Sequence, residues 1–207
     1  MTPREIESLA RATLGNALIQ LAVHFPDELD VLGVDVPRAL TQAIQLAEEA
    51  IALAPHLPDG HTTLARVILC HDDEEAARDA ESVARHALEL VEDHDPAAVA
   101  LATALDAQGR TGDAHDEVER VIQRGSGHPA PFALRARLRL TLGNVEGAVR
   151  DIERALVMAP EDGLLRLDAA RVLAGAGDNV RAEEHRERAR ELLGTSMRAL
   201  VGDQEIA

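Results

Sequence analysis

A period of 34 residues governs this chain. Gly109, Gly143 and Gly177 are spaced by it, as are Ala102, Ala136 and Ala170. Ala80, Ala114, Ala148 and Ala182 keep the same interval, and so do Ala87, Val121, Ala155 and Ala189. Self-similarity at a fixed period marks a supersecondary unit that stacks on its neighbours to complete its core. The residue types suggest what that unit is. Each glycine falls between two stretches with helical apolar spacing, where a helix end calls for a left-handed residue. Asn144 and Asp178 follow two of these glycines and are placed to cap the next helix. Alanine at fixed registers lets helix axes approach to about 8–10 Å. The expectation is an all-α solenoid of antiparallel helix pairs.

Composition agrees. The 207 residues include no Trp, no Tyr and only Phe25 and Phe132 among aromatics. A core of small aliphatic side chains suits close-packed helices, not strands, which favour β-branched and aromatic residues. All 21 basic residues are Arg, against 37 acids, for a net charge of −16. That charge argues against binding nucleic acid or anionic membrane through charge alone. Residues 1–128 carry 9 Arg and 24 acids, whereas residues 129–193 carry 11 of each. A single cysteine, Cys70, excludes an intrachain disulfide. The chain shows no signal-peptide pattern and no run of membrane-spanning length, so a cytoplasmic location is expected.

Along the chain, Thr2, Pro3 and Glu5 form a helix start of the capping-box kind, and the helix should run to about His24. Residues 25–37, with Pro26, Gly33 and Pro37, read as a long loop, either merely tolerated or a lid for a partner. Residues 71–75 (His71-Asp72-Asp73-Glu74-Glu75) read as a solvated acidic turn. Gly194 should end the last charged helix, with a short capping helix starting near Ser196.

The pattern resembles the tetratricopeptide repeat (TPR) family, a 34-residue helix–turn–helix unit with small residues at its eighth, twentieth and twenty-seventh positions. Residues 129–162 match through Phe132, Ala136, Gly143, Ala148, Ala155 and Pro160. Residues 163–193 match through Ala170, Gly177, Ala182 and Ala189, and residues 95–128 through Leu101, Ala102, Leu105, Gly109 and Ala114. Residues 58–94 fit with an insertion in the acidic turn. Residues 1–57 form a degenerate unit whose second helix holds Ala43 and Ala50, and residues 194–207 supply the capping helix and tail. The resemblance implies a right-handed superhelical solenoid. Arg135 and Arg139 stand where the family has apolar residues.

No phosphate loop, nucleophile elbow or HExxH pair is present, so no enzyme activity, cofactor or metal is expected. Cys70, His71 and the acids after it lack the spacing of a dedicated metal site. Neighbouring acids should raise the Cys70 thiol pKa and keep it unreactive.

The resemblance implies that first helices line a concave groove, placing Arg66, Thr103, Arg137 and Arg171 inward, with Leu140 and Leu167 nearby. Guanidinium groups grip carboxylates through paired hydrogen bonds. The expected function is a protein–protein interaction scaffold holding an acidic, aliphatic segment of another protein or peptide. The alternatives are head-to-tail self-assembly into a homo-oligomer, through the acidic and Arg-bearing parts, and an accessory subunit for an enzyme on another chain. The asparagine and lysine pattern of the family's chaperone clamps is missing, and no chaperone clamp is expected.

Overall fold

The structure is a computed structural model that describes residues 1–24, 35–71 and 73–201, the last eight of these by backbone alone. Among the described residues it holds ten helices and no strand: α1 (Pro3–His24), α2 (Val36–Leu53), α3 (Pro58–Ile68), α4 (Glu74–Leu90), α5 (Asp95–Ala107), α6 (Thr111–Gln123), α7 (Pro129–Thr141), α8 (Val145–Met158), α9 (Gly163–Gly175) and α10 (Asn179–Val201). The all-α class expected from the period is the class observed.

The local signals act as the sequence implies. At the start of α1 the Thr2 N–H donates to Glu5 Oε2 at 2.7 Å, and the Glu5 N–H donates to Thr2 Oγ1 at 3.3 Å. This reciprocal capping box satisfies two amides that the helix cannot. Gly109, Gly143 and Gly177 have φ of 74°, 80° and 86°. After Gly143, the Asn144 N–H reaches back to the Arg139 carbonyl at 2.8 Å, the six-residue closure of a Schellman end. The Asn144 side chain then accepts from the Gly147 N–H at 3.0 Å to start α8.

Three expectations need correction. Helix α2 begins at Val36 and includes Pro37, because Asp35 is extended (φ −77°, ψ 159°) and its carboxylate accepts from the Arg38 N–H. Residues 25–34 of the expected loop lie outside the described residues. The acidic turn is largely a helix start: Asp73 caps α4 by accepting from the Ala76 N–H at 2.7 Å, with Glu74 and Glu75 in the first turn. Acids there meet the positive end of the helix dipole; Asp72 lies outside the described residues. Finally, α10 does not stop at Gly194 to restart near Ser196 but continues to Val201. Mid-helix glycine costs about 1 kcal/mol relative to alanine, which does not break a helix. Residues 202–207 of the tail lie outside the described residues.

The chain forms two compact units, Met1–Glu117 and Val118–Ala207. In the first, α1 packs on α2 and α3, α3 on α2, α4 and α5, and α4 on α5. Ala39, Ala43, Ala47 and Ala50 make one fully buried face of α2, and Ala80, Ala84 and Ala87 do the same on α4. Gly60 sits so close to α2 that a Cβ there would lie 3.0 Å from the Ile51 backbone nitrogen. In the second unit, α7 packs on α8 and α9, and α9 on α8 and α10. Its core joins Phe132, Ala136, Ala148, Ile152, Ala155, Leu165, Ala169 and Val172.

Two glycine substitutions should separate close approach from helix propensity. Gly60→Ala should destabilise the chain by about 1–3 kcal/mol, because the backbone of α2 must move. Gly112→Ala, in α6 with nothing within 4 Å of the new Cβ, should stabilise it by about 0.4–1 kcal/mol. Urea unfolding midpoints measure both.

Candidate functional site

The first helices of the second unit carry four of the expected residues, and Leu140 among them packs partly against the core. Arg137 and Leu140 lie three apart on α7, and Leu167 and Arg171 four apart on α9, so each pair shares a helix face. Both arginines are exposed and both leucines half-buried. Leu140 lies over Gly175 of α9 so closely that a Cβ on that glycine would overlap its Cδ2. The α7 and α9 strips are therefore contiguous. The Arg171 side chain is 62% exposed and meets Asp168, on its own helix, at 3.2 Å.

The other two expected residues belong to the first unit. Thr103 is half-buried, and its hydroxyl donates to the Val99 carbonyl at 2.8 Å within α5. Arg66 is half-buried, and its Nη1 donates to Asn16 Oδ1 on α1 at 2.7 Å. Asn16 in turn donates to the Thr63 hydroxyl at 2.9 Å. Burial pulls the Arg66 guanidinium pKa down. Arg66 therefore ties α1 to α3, a packing task the sequence did not reveal. Cys70, also half-buried, has its thiol pKa raised by burial, with nearby Arg66 opposing. The thiol is shifted as expected, but by desolvation and not by the neighbouring acids.

The arginines that break the repeat pattern have partners. Arg135, whose side chain is 9% exposed, forms a fork on Asp151: Nε to Oδ2 at 2.7 Å and Nη2 to Oδ1 at 2.6 Å. Its Nη1 reaches Glu119 Oε2 at 2.6 Å, and Arg139 Nη1 reaches Asp151 Oδ2 at 2.7 Å. Arg154 stacks over the Phe132 ring at 4.5 Å from its centroid, and Arg135 approaches that ring at 5.7 Å. Burial pushes the Glu119 pKa up, but hydrogen bonds and charge from Arg135 outweigh it, and the net shift is downward.

In the first unit, His61 and His86 meet edge to face at 4.7 Å. Burial, then the charge of His86, lowers the His61 pKa. Among the described residues no group of three or more His, Cys, Asp or Glu side chains is arranged to hold a metal ion.

No protein-family model matches the chain. Cellulose synthase operon protein C of Xanthomonas axonopodis pv. citri (strain 306) is 34% identical over 149 residues, which cover 67% of this chain and 9% of that protein. Among solved structures, the thermophilic TPR protein TTC0263 of Thermus thermophilus superposes with a TM-score of 0.67 at 17% identity, covering 90% of this chain and 95% of its own. The chain has the TPR fold. PilF of Pseudomonas aeruginosa superposes with a TM-score of 0.55 at 19% identity, covering 88% of this chain and 78% of its own. The human IFIT1 dimer with m7Gppp-AAAA gives 0.64 at 19% identity, covering 76% of this chain and 39% of that one.

Within this TPR fold, the repeat register puts Arg137, Leu140, Leu167 and Arg171 on α7 and α9, but it did not reveal the acids that hold Arg135 and Arg139. A signal was available. Arg135 and Arg139 replace the registers of Leu101 and Leu105, and Glu119 and Asp151 lie sixteen residues to either side of Arg135.

Asp151→Ala should cost about 3–5 kcal/mol, because buried Arg135 and half-buried Arg139 lose their shared carboxylate. Replacing the set by apolar residues (Arg135→Leu and Arg139→Leu, as one period earlier, with Asp151→Val) should restore most of that stability. Equilibrium urea unfolding checks both.

The depressed Glu119 pKa gives a pH signature. Its contribution should be complete above the unfolded carboxylate pKa of about 4.3 and fade as pH falls through the lower folded value. Glu119→Gln should flatten the acid limb of the stability–pH curve.

Proposed function

We propose that this chain is a protein-interaction scaffold, and that the α7–α9 strip holds a partner segment carrying acidic and aliphatic side chains. One observation carries the reading: two exposed guanidinium groups, Arg137 and Arg171, stand beside half-buried Leu140 and Leu167 on adjacent helices. The leucines supply apolar contact and the arginines paired donors for carboxylates.

The energetics are reasonable. Hydrogen bonds to charged groups contribute about 1.5–3 kcal/mol each, and micromolar affinity needs about 8 kcal/mol. Exchanging the exposed Arg171–Asp168 pair for a partner carboxylate sacrifices little, since such pairs are worth about 0–1 kcal/mol. Residues 129–193, which form the strip, are balanced at 11 Arg and 11 acids within a chain of net charge −16. An acidic segment meets less repulsion there than on residues 1–128. Thr103 and Arg66 complete the expected set in the first unit, where Arg66 acts mainly through its bond to Asn16.

The scaffold reading assigns the chain no catalytic step, and the partner is another protein, not nucleic acid or membrane. No helix among the described residues is long and apolar enough to cross a membrane.

Peptides selected from a random library on the folded chain should be enriched in Asp or Glu next to Leu or Val. Arg137→Ala with Arg171→Ala should weaken their binding at least tenfold by fluorescence anisotropy, with the unfolding midpoint unchanged. Basic or purely apolar selected peptides, or unaltered affinity in the double variant, would refute the assignment. Arg66→Ala should instead lower the unfolding midpoint.

A further inference from the structure

His61 stands near the start of α3. Its imidazole meets that of His86 on α4 edge to face, with ring centroids 4.7 Å apart, and its Nε2 is buried with no hydrogen-bond partner. Other histidines of the first unit are placed differently. His56, His86, His94 and His115 lie 3.1, 3.2, 3.8 and 3.8 Å from Glu5, Glu89, Asp59 and Asp116. A proton on any of these four rings has a carboxylate beside it. A proton on His61 Nε2 has none among the described residues. The helices around the ring do not supply one. Glu49 of α2 is engaged by Arg11 of α1, Asp59 of α3 by His94 at the start of α5, and Glu89 of α4 by His86. Among the described residues, the charge that acts on the His61 ring is that of His86, while the Pro55 carbonyl favours the protonated form.

We propose that the His61–His86 contact is an acid-sensitive joint, at which a second proton on the ring pair parts α4 from α3 and loosens the first unit. One proton does not suffice. A charge on His86, which is exposed, is answered by Glu89 and leaves the ring contact intact. A second charge, on His61, is desolvated and is opposed by the first.

Packing decides which helix yields. Gly60 lies against the α2 backbone with no room for a Cβ, so α3 cannot retreat in that direction. Thr63 ties α3 to α1, donating to the Ala12 carbonyl at 3.3 Å and accepting from Asn16 at 2.9 Å. Both anchors flank His61. Helix α4 turns Arg78, Asp79, Ser82, Arg85, His86 and Glu89 to solvent and is the side that can move. The sign follows from the environment of the ring. Burial, then the charge of His86, holds the His61 pKa below its unfolded value. Its contribution to stability is therefore complete above about pH 6.5 and fades as pH falls through the lower folded value. Between the two values, one proton lowers the ratio of closed to open joint by at most about tenfold per pH unit. This window lies above the one set by Glu119.

NMR of the full chain between about pH 8 and about pH 5 tests this. The His61 ring should titrate below the ordinary histidine value of about 6.5. Amide protection factors in α3 and α4 should fall over the same range, by up to about tenfold per pH unit, while those in α7 and α8 hold. His61→Phe keeps a ring against His86 but takes no proton, and should remove this fall. His61→Gln, which is smaller and also uncharged, should remove it too, so that a poorly folded Phe variant does not decide the matter. His86→Ala should move the His61 titration up toward the ordinary value. Titration of His61 at or above about 6.5 in the wild type overturns the proposal. So does a loss of α3 and α4 protection that both His61 variants retain, or a His61 titration that His86→Ala leaves in place. An equal loss of protection in α7 and α8 marks global acid unfolding and overturns it as well.

Discussion

Helices in this protein meet at alanine, and the rest of the structure depends on that contact. Ala80, Ala114, Ala148 and Ala182 are all fully buried, as are Ala87, Val121, Ala155 and Ala189. A methyl group fills the crossing without holding the backbones apart, so each pair closes tightly over little side-chain volume. Glycine extends the same logic where even a methyl is too large, as at Gly60 against Ile51. With crossings this tight, larger aliphatic side chains are free to lie along the helix faces. Leu140 and Leu167 do so beside Arg137 and Arg171, and the proposed strip follows from the packing.

The second unit bends this rule at one place. Arg135 and Arg139 occupy registers that hold Leu101 and Leu105 one period earlier, and Asp151 sits nearly buried, at 4% exposure, between them. Two guanidinium groups share one carboxylate, with Glu119 as a second acceptor, which compensates the buried Arg135 charge, although the half-buried Arg139 keeps a buried Nε with no partner. Such a network offers little net stability over an apolar core. Its effect is geometric, because a forked Arg135–Asp151 pair fixes how α7 lies on α8.

The fold was legible in the sequence because its signals are local or periodic. The capping box at Thr2 and Glu5, the left-handed glycines at 109, 143 and 177, and the buried alanine registers each follow from a short-range rule. What escaped was tertiary. Arg66 reads as a groove residue by register, but Asn16, fifty residues away in α1, claims it. The acidic cluster after His71 reads as a turn because a run of like charge resembles a loop, whereas Asp73 commits its carboxylate to the amide of Ala76. Gly194 reads as a stop because glycine often ends helices, yet the residues around it favour helix enough for α10 to continue to Val201. For the candidate strip, the register selected residues on α7 and α9, and only the structure showed that Leu140 lies against Gly175.

The central claim is that the strip on α7 and α9 is where this TPR fold meets its partner. It is tested most directly by methyl and backbone NMR shifts as an acidic, leucine-containing peptide is added. The account predicts that the perturbed signals centre on Arg137, Leu140, Leu167, Arg171 and Gly175. Shifts centred on the second helices α8 and α10, or spread over the first unit alone, would contradict it.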